Sequence, residues 1–439
     1  MRGPPPHLLF KSAGTLVIAA AIAGYAGHAP PAPQAAQPSE DLVCDPDNGG
    51  LTLPPGFCAL VVADGISGVR HMVVAPNGDI FVARRRTRGD STAPVGVLAL
   101  RDSDGDGRAE VQANFADRAG TGIALHGGYL YFGPNDGIVR FPLPEGSLEP
   151  SGPAEVVVSG LPAVRSHRAK SLAIDGGDLY VNIGAPSNTC QEEDRTAGSP
   201  GIDPCPQLAT RGGIWKFDAN TLGQTQTDGE RFATGLRNVV ALTLHPTSKA
   251  LYGVQHGRDQ LHQNWPELFS EEDQAEKPAE ELVRIRKDDD YGWPYCYYDS
   301  ELESLVLAPE YGGDGKKVGR CRDKGQPMLD FPAHWAPNAI LFYTGDQFPE
   351  EYKGGAFIAF HGSWNRAPLP QAGYKVVYVP FDGAWPKGDY ETFADGFAGE
   401  IMSPRDADYR PGGLAQGPDG SLYISSDKGG RIWRVLYKG

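Results

Sequence analysis

The chain has 439 residues, a net charge of −15 and a pI of about 5.1. That balance argues against nucleic-acid binding, which wants a basic face, and says little about small-molecule substrates. With 57 glycines, 38 prolines and few long helical patterns, the composition points to an all-β chain of short strands and turns.

The N-terminus, up to about Ala29, resembles an export signal. Arg2 and Lys11 supply positive charge, residues 13–26 form a short apolar run, and Ala26 and Ala29 frame a small-residue cleavage site. The other reading of this stretch is an uncleaved membrane anchor. Residues 30–41, rich in Pro and Ala, read as a linker, so the folded part is expected over 42–439. The export signal makes the periplasm or the outside of the cell the expected location, and no further membrane span is expected in the mature chain. The six cysteines fall in local couples, Cys44 with Cys58, Cys190 with Cys205 and Cys296 with Cys321. In an exported chain they predict three disulfides paired in sequence order.

One unit recurs along the chain: an apolar strand, a Gly- or Pro-bearing turn, a second strand, a loop and a third strand. It occurs at 69–83 with 97–101, at 122–141, at 171–183 with 213–218, at 240–255 with 281–286, at 339–361 with 374–381, and at 410–437. The fourth strand of each unit is the weakest signal, in segments such as 154–158 and 226–233. Six such units predict a six-bladed β-propeller of four-stranded antiparallel blades; the competing architecture is a pair of β-sandwiches. Three long insertions, 185–211, 257–279 and 299–333, are expected to gather at one mouth of the channel and carry function.

Nucleotide loops, HExxH and GxSxG are absent, so nucleotide binding and serine hydrolysis lose support. Asp102, Asp104 and Asp106, followed by Glu110, form a DxDxDG loop whose alternate carboxylates suit a structural calcium ion. His167, ahead of the third unit, can take a proton from a substrate hydroxyl. Arg237 and Asn238 occupy the same place before the fourth unit, and Arg410 before the sixth. Arg offers a planar fork and Asn a bidentate amide. Gln255, His256, Gly257, Arg258 and Asp259 end the fourth unit's second strand and line the same mouth. YGWPYC (291–296) and HGSWNR (361–366) are dense in aromatic and polar groups that suit a sugar or a flat cofactor ring.

The stretches GLRN (235–238), DYGWPYCYYD (290–299), FYTGDQFPEEYKGGAFIAFHGSWNR (342–366), GYKVVYVPF (373–381) and PDGSLYISSDKGGRIWRV (418–435) resemble the soluble PQQ-dependent sugar dehydrogenases. The likeness is to the sorbosone and aldose dehydrogenase branch, related to soluble quinoprotein glucose dehydrogenase, over about residues 53–435. It implies a six-bladed propeller holding pyrroloquinoline quinone (PQQ) and calcium. It also implies oxidation of an aldose to the lactone, or of a sorbosone-like aldehyde to the acid. By that likeness His167 is the base and Arg237 the residue stabilising charge on the quinone oxygen. Asn238, Gln255, Trp364, Asn365, Arg366 and Arg410 line the cofactor, and the backbone carbonyls of His256 and Gly257 are candidate calcium ligands.

The chain departs from glucose-oxidising members in three places. Ser166 stands where they carry an aspartate that orients the base. Residues 185–188 (APSN) replace a glutamine-bearing turn, and HGSWNR stands where they use a lysine. An appended cytochrome domain is not expected, so electrons would leave to an external acceptor. Two other readings compete with the dehydrogenase. One is a non-catalytic propeller that binds carbohydrate or a protein partner. The other is a calcium-dependent lactonase, for which the inner strand starts lack the acidic residues.

Overall fold

Strands with both faces covered should read as unbroken apolar runs, and Ile80–Arg84 and Ala356–Phe360 are buried at every position. In the computed structural model, which describes residues 1–3, 42–87, 89–163 and 166–439, six four-stranded antiparallel blades form a propeller, and the second blade's sheet gains a short fifth strand, Gln224–Thr225, parallel to Glu155–Ser159. The expected linker and the export signal beyond Gly3 lie outside the described residues. The six innermost strands are Val69–Val74, Gly120–His126, Leu172–Asp175, Ala241–Leu244, Pro337–Phe342 and Pro411–Gln416. Each packs beside the next, and the last returns to the first, closing the ring.

The core is a set of six apolar layers between neighbouring blades. Successive residues of a strand point to opposite faces, so one strand serves two layers. Ile80 and Val82 pack against Leu60, Ile432 and Leu436 of the sixth blade. Phe81 and Ala83, one residue out of step, pack against Ile123, Phe132 and Phe141 of the second. Between the fifth and sixth blades the layer is aromatic, with Phe57, Phe348, Tyr352, Phe357, Phe393 and Trp433 in one cluster.

The ring closes by an exchange of strands. The outer strand of the sixth blade is the N-terminal Phe57–Ala63, antiparallel to Ile432–Tyr437, with Leu60 opposite Arg434. The repeat pattern leaves this strand unassigned, because its partner lies at the far end of the chain. Within 226–233 the expected strand starts late, at Glu230. Gln226–Asp228 is a 3-10 turn held by a capping box, in which the Asp228 carboxylate accepts from the Thr225 N–H at 2.8 Å.

Three disulfides pair Cys44 with Cys58, Cys190 with Cys205 and Cys296 with Cys321, as sequence order predicts. They fit an oxidising compartment. Among the described residues no helix is long and apolar enough to cross a membrane.

Candidate active site

Antiparallel pairing sets the start of each inner strand beside the end of its blade's second strand. These segments therefore ring one end of the channel. His167, Asn238 and Arg410 lie just ahead of the inner strands of blades three, four and six. Gln255, His361 and Asp427 lie at or just past the second strands of blades four, five and six. The insertions reach the same end. The segment leading into the third joins the end of Glu230–Thr234, with Tyr291 N–H donating to Thr234 O at 3.0 Å and Trp293 N–H to Gly235 O at 2.9 Å. There Arg258 pairs with Glu310 at 2.5 Å, and the Thr189 hydroxyl donates to Glu310 at 3.2 Å.

Asn188, from the APSN turn, is where the insertions meet. Its side-chain oxygen accepts from Arg237 Nη2 at 3.0 Å and Asp259 N–H at 2.9 Å, and its amide donates to Asp259 O at 2.8 Å. Its backbone carbonyl accepts from Arg237 Nε at 3.3 Å and Trp293 Nε1 at 2.8 Å. Arg237 also donates to Gly257 O and the Asp259 carboxylate, each at 2.8 Å. Among the described residues, four of the five guanidinium hydrogens thus have protein acceptors, and one on Nη1 remains for a ligand. Burial works to raise the Asp259 carboxyl, but Arg237 and Arg195 hold it well below the usual range.

His167 sits over Gly184, where an added Cβ would lie 2.6 Å from the His167 Cβ and 2.9 Å from Asn238 Oδ1. Its Nδ1 lies 2.7 Å from the Ala185 carbonyl. A carbonyl only accepts, so Nδ1 carries the proton and Nε2 keeps its lone pair. A backbone oxygen thus orients the ring. Burial first, then the Arg237 charge, push the His167 pKa down to about 3, so the ring is neutral over the working pH range. Burial and Arg237 push His256 down to about 3 as well, with a smaller contribution from His361.

A second polar group spans blades five, six and one. His361 Nε2 lies 2.6 Å from the Asp427 carboxylate, which also takes Arg85 at 2.7 Å and Arg70 at 3.4 Å. Arg410 donates through Nε to His361 O at 2.8 Å and through Nη2 to Gly362 O at 2.5 Å. The site thus brings together His167, Arg237, Asn238, Gln255, His256 and Gly257, with Gln255 Oε1 accepting from Arg237 N–H at 3.2 Å.

Arg366 is engaged elsewhere, clamped to Ala275 O at 2.6 Å, to Pro370 O at 3.0 Å and to the Glu276 carboxylate. Trp364 is 55% exposed. Asp102, Asp104, Asp106 and Glu110 lie on the turn between the third and fourth strands of blade one, at the opposite end from the mouth, with carboxylate oxygens within 4.8 Å of one another. The YGWPYC segment serves packing: Trp293 and Tyr291 are buried, and the Tyr291 hydroxyl donates to Arg284 O at 2.6 Å. Asn188, Arg70 and Asp427 escaped the sequence reading. Arg70 is the second residue of its inner strand, whereas Arg237 and Arg410 precede theirs.

Thirteen buried side-chain polar atoms have no partner among the described residues, and His256 Nδ1, Asn365 Nδ2 and Arg70 Nε are three of them. Buried donors and acceptors are normally satisfied, and His256 and Arg70 lie at the mouth, where a polar ligand can meet them. Fold and site together define a propeller with a polar, histidine- and arginine-lined mouth.

Residues 51–438 match the TrAA12-like family model, and the chain belongs to that family. It is 32% identical over 211 residues to an uncharacterized protein of Borreliella burgdorferi, covering 48% of this chain and 49% of that one. It is 27% identical over 274 residues to a pyrroloquinoline quinone-dependent pyranose dehydrogenase of Coprinopsis cinerea, covering 52% of this chain and 35% of that one. The matches thus span about half and about a third of these curated relatives. The fold is similar to the holo PQQ domain of the Coprinopsis cinerea pyranose dehydrogenase, with TM-score 0.71, 19% identity, and 88% of this chain and 97% of that one covered. It is equally similar to a calcium structure of a Trichoderma reesei carbohydrate-active enzyme of family AA12, with TM-score 0.71, 20% identity, and 88% and 97% covered.

Proposed function

We propose that this chain is a PQQ-dependent sugar dehydrogenase, oxidising the anomeric hydroxyl of an aldose to the lactone, or a sorbosone-like aldehyde to the acid, outside the cytoplasm. The observation that carries the reading is a neutral His167 whose Nε2 is left open by the Nδ1–H bond to Ala185, beside Arg237. The relatives named as sugar dehydrogenases support it.

His167 Nε2 takes the proton of the sugar hydroxyl. PQQ, when bound, supplies a two-electron carbonyl acceptor for the hydride leaving the sugar carbon. Arg237, Asn238, Gln255, Asn365 and Arg410 would hold it, and the unpartnered Asn365 amide and free Arg237 Nη1 hydrogen fit such a polar planar ligand. The fixed guanidinium offers preorganised positive charge where negative charge develops. The carbonyls of His256 and Gly257 are the candidate calcium ligands at this site. The Gly257 oxygen accepts one hydrogen bond from Arg237 and keeps a second lone pair. The Asp102 loop is a separate, structural calcium site, with carboxylate chemistry suited to a hard cation. An external acceptor then receives the electrons.

The test is titration of the calcium-loaded protein with PQQ, followed by its absorption spectrum on adding glucose, other aldoses and sorbosone. Substrate-dependent bleaching is the expected result. Failure to take up PQQ refutes the reading and leaves a carbohydrate-binding propeller.

A further inference from the structure

Lys170 is fully buried, at 0% exposure. Its ammonium donates to Pro162 O at 2.9 Å and to Arg168 O at 3.0 Å, and no carboxylate pairs with it among the described residues. A buried lysine facing only carbonyls is rare enough to need an explanation. The two carbonyls bracket the loop that carries His167. The lysine backbone is itself fixed: its carbonyl oxygen lies 2.3 Å from where a Cβ on Gly122 would stand and 2.4 Å from one on Gly133. Only glycines at these two positions of the second blade allow that approach. Lys170 is therefore a post wedged into the neighbouring blade, with its side chain reaching back over the loop.

The loop needs holding. His167 has φ +49°, a left-handed conformation that persists in non-glycine residues only when the surroundings over-determine it. Three contacts do so here: Gly184 beneath the His167 Cβ, the Ala185 carbonyl on Nδ1, and Lys170 on the carbonyls either side. Burial first, then Arg211, lower the Lys170 pKa to about 7. The amine keeps two hydrogens for its two acceptors, so the clamp does not depend on the charge.

We infer that Lys170 is a positioning residue for the proposed base, holding the carbonyls of Pro162 and Arg168 so that His167 keeps its Nδ1–H tautomer and presents Nε2 to the substrate. This rests on the dehydrogenase reading for its catalytic meaning, but not for its test.

The test is 15N-imidazole NMR of the cofactor-free protein, with the His167 signals assigned by their loss in His167→Gln. The expected wild-type spectrum shows the Nδ1–H tautomer. In Lys170→Met, which cannot donate, the separation between the two ring-nitrogen shifts should fall by about half or more as the tautomers mix. Lys170→Gln, which keeps an N–H donor, should restore part of it. In enzyme loaded with PQQ and calcium, Lys170→Met should lower kcat about tenfold or more while sugar KM and PQQ affinity stay within about threefold. A tautomer unchanged in Lys170→Met overturns the inference, as does a wild-type ring without the Nδ1–H form. If neither variant folds, Lys170 is a structural residue and the inference falls. A wild-type protein that takes up no PQQ refutes the proposed function and leaves the NMR result standing by itself.

Discussion

Replacing Asn188 by Ala tests whether the meeting point of the insertions holds the mouth together. The substitution deletes three buried hydrogen bonds: one from the Arg237 guanidinium at 3.0 Å, one from Asp259 N–H at 2.9 Å and one to Asp259 O at 2.8 Å. A bond to a charged donor contributes about 1.5–3 kcal/mol and each neutral one about 0.5–1.5 kcal/mol, so the loss is roughly 2.5–6 kcal/mol. The assay is equilibrium urea unfolding of the ligand-free protein, followed by far-UV circular dichroism and by tryptophan fluorescence. Trp293 reports locally, because its Nε1 donates to the Asn188 backbone oxygen. Coincident transitions license a single free energy. If they separate, the fluorescence transition is the one expected to move. A shift under about 1 kcal/mol in both probes would refute the reasoning, since it would mean that water or a rearranged loop satisfies Arg237 and Asp259 as well as Asn188 does.

Four further outcomes are expected. His167→Gln should lower kcat by about 10²–10⁴-fold with PQQ affinity unchanged, checked by stopped-flow reduction and fluorescence titration. Gly184→Ala places a methyl 2.6 Å from the His167 Cβ, so kcat should fall sharply while the circular dichroism spectrum stays that of the wild type. Burial, with smaller contributions from its acidic neighbours, raises the Glu281 pKa to about 8. Because the folded chain then holds that proton more tightly than the unfolded chain, stability falls as pH rises from about 4.5 towards 8. Glu281→Gln should therefore stabilise the calcium-free protein at pH 8 and change little at pH 4.5, measured by urea unfolding at both values. Finally, calcium should raise the melting temperature of the wild type more than that of Asp102→Asn, because Asp102 supplies one of the four clustered carboxylates; equal shifts would remove the loop as a calcium site.

Much of the site was legible because a propeller repeats. A polar residue just before an inner strand reaches the mouth whatever the blade, and His167, Arg237 and Arg410 are all found there. In the first blade that rule passes over Arg70, which is the second residue of its inner strand. Asp427 was hidden in a turn whose Gly and Lys neighbours read as punctuation, and its partner His361 lies 66 residues earlier.

The sequence by itself determined the blades, since unbroken apolar runs between turns can be buried only between two neighbouring sheets. It also pointed to three disulfides between local cysteine couples, a pairing that the structure settled. The tertiary structure decided what depends on contacts across the ring. It made Phe57–Ala63 the outer strand of the last blade. It turned the APSN departure into the anchor of Arg237, and it supplied the Ala185 carbonyl that orients His167. It also tied Arg366 to Glu276 of the second insertion. These outcomes have one physical reason. Backbone oxygens and long-range partners satisfy buried polar groups as well as side chains do, and a one-dimensional motif records neither.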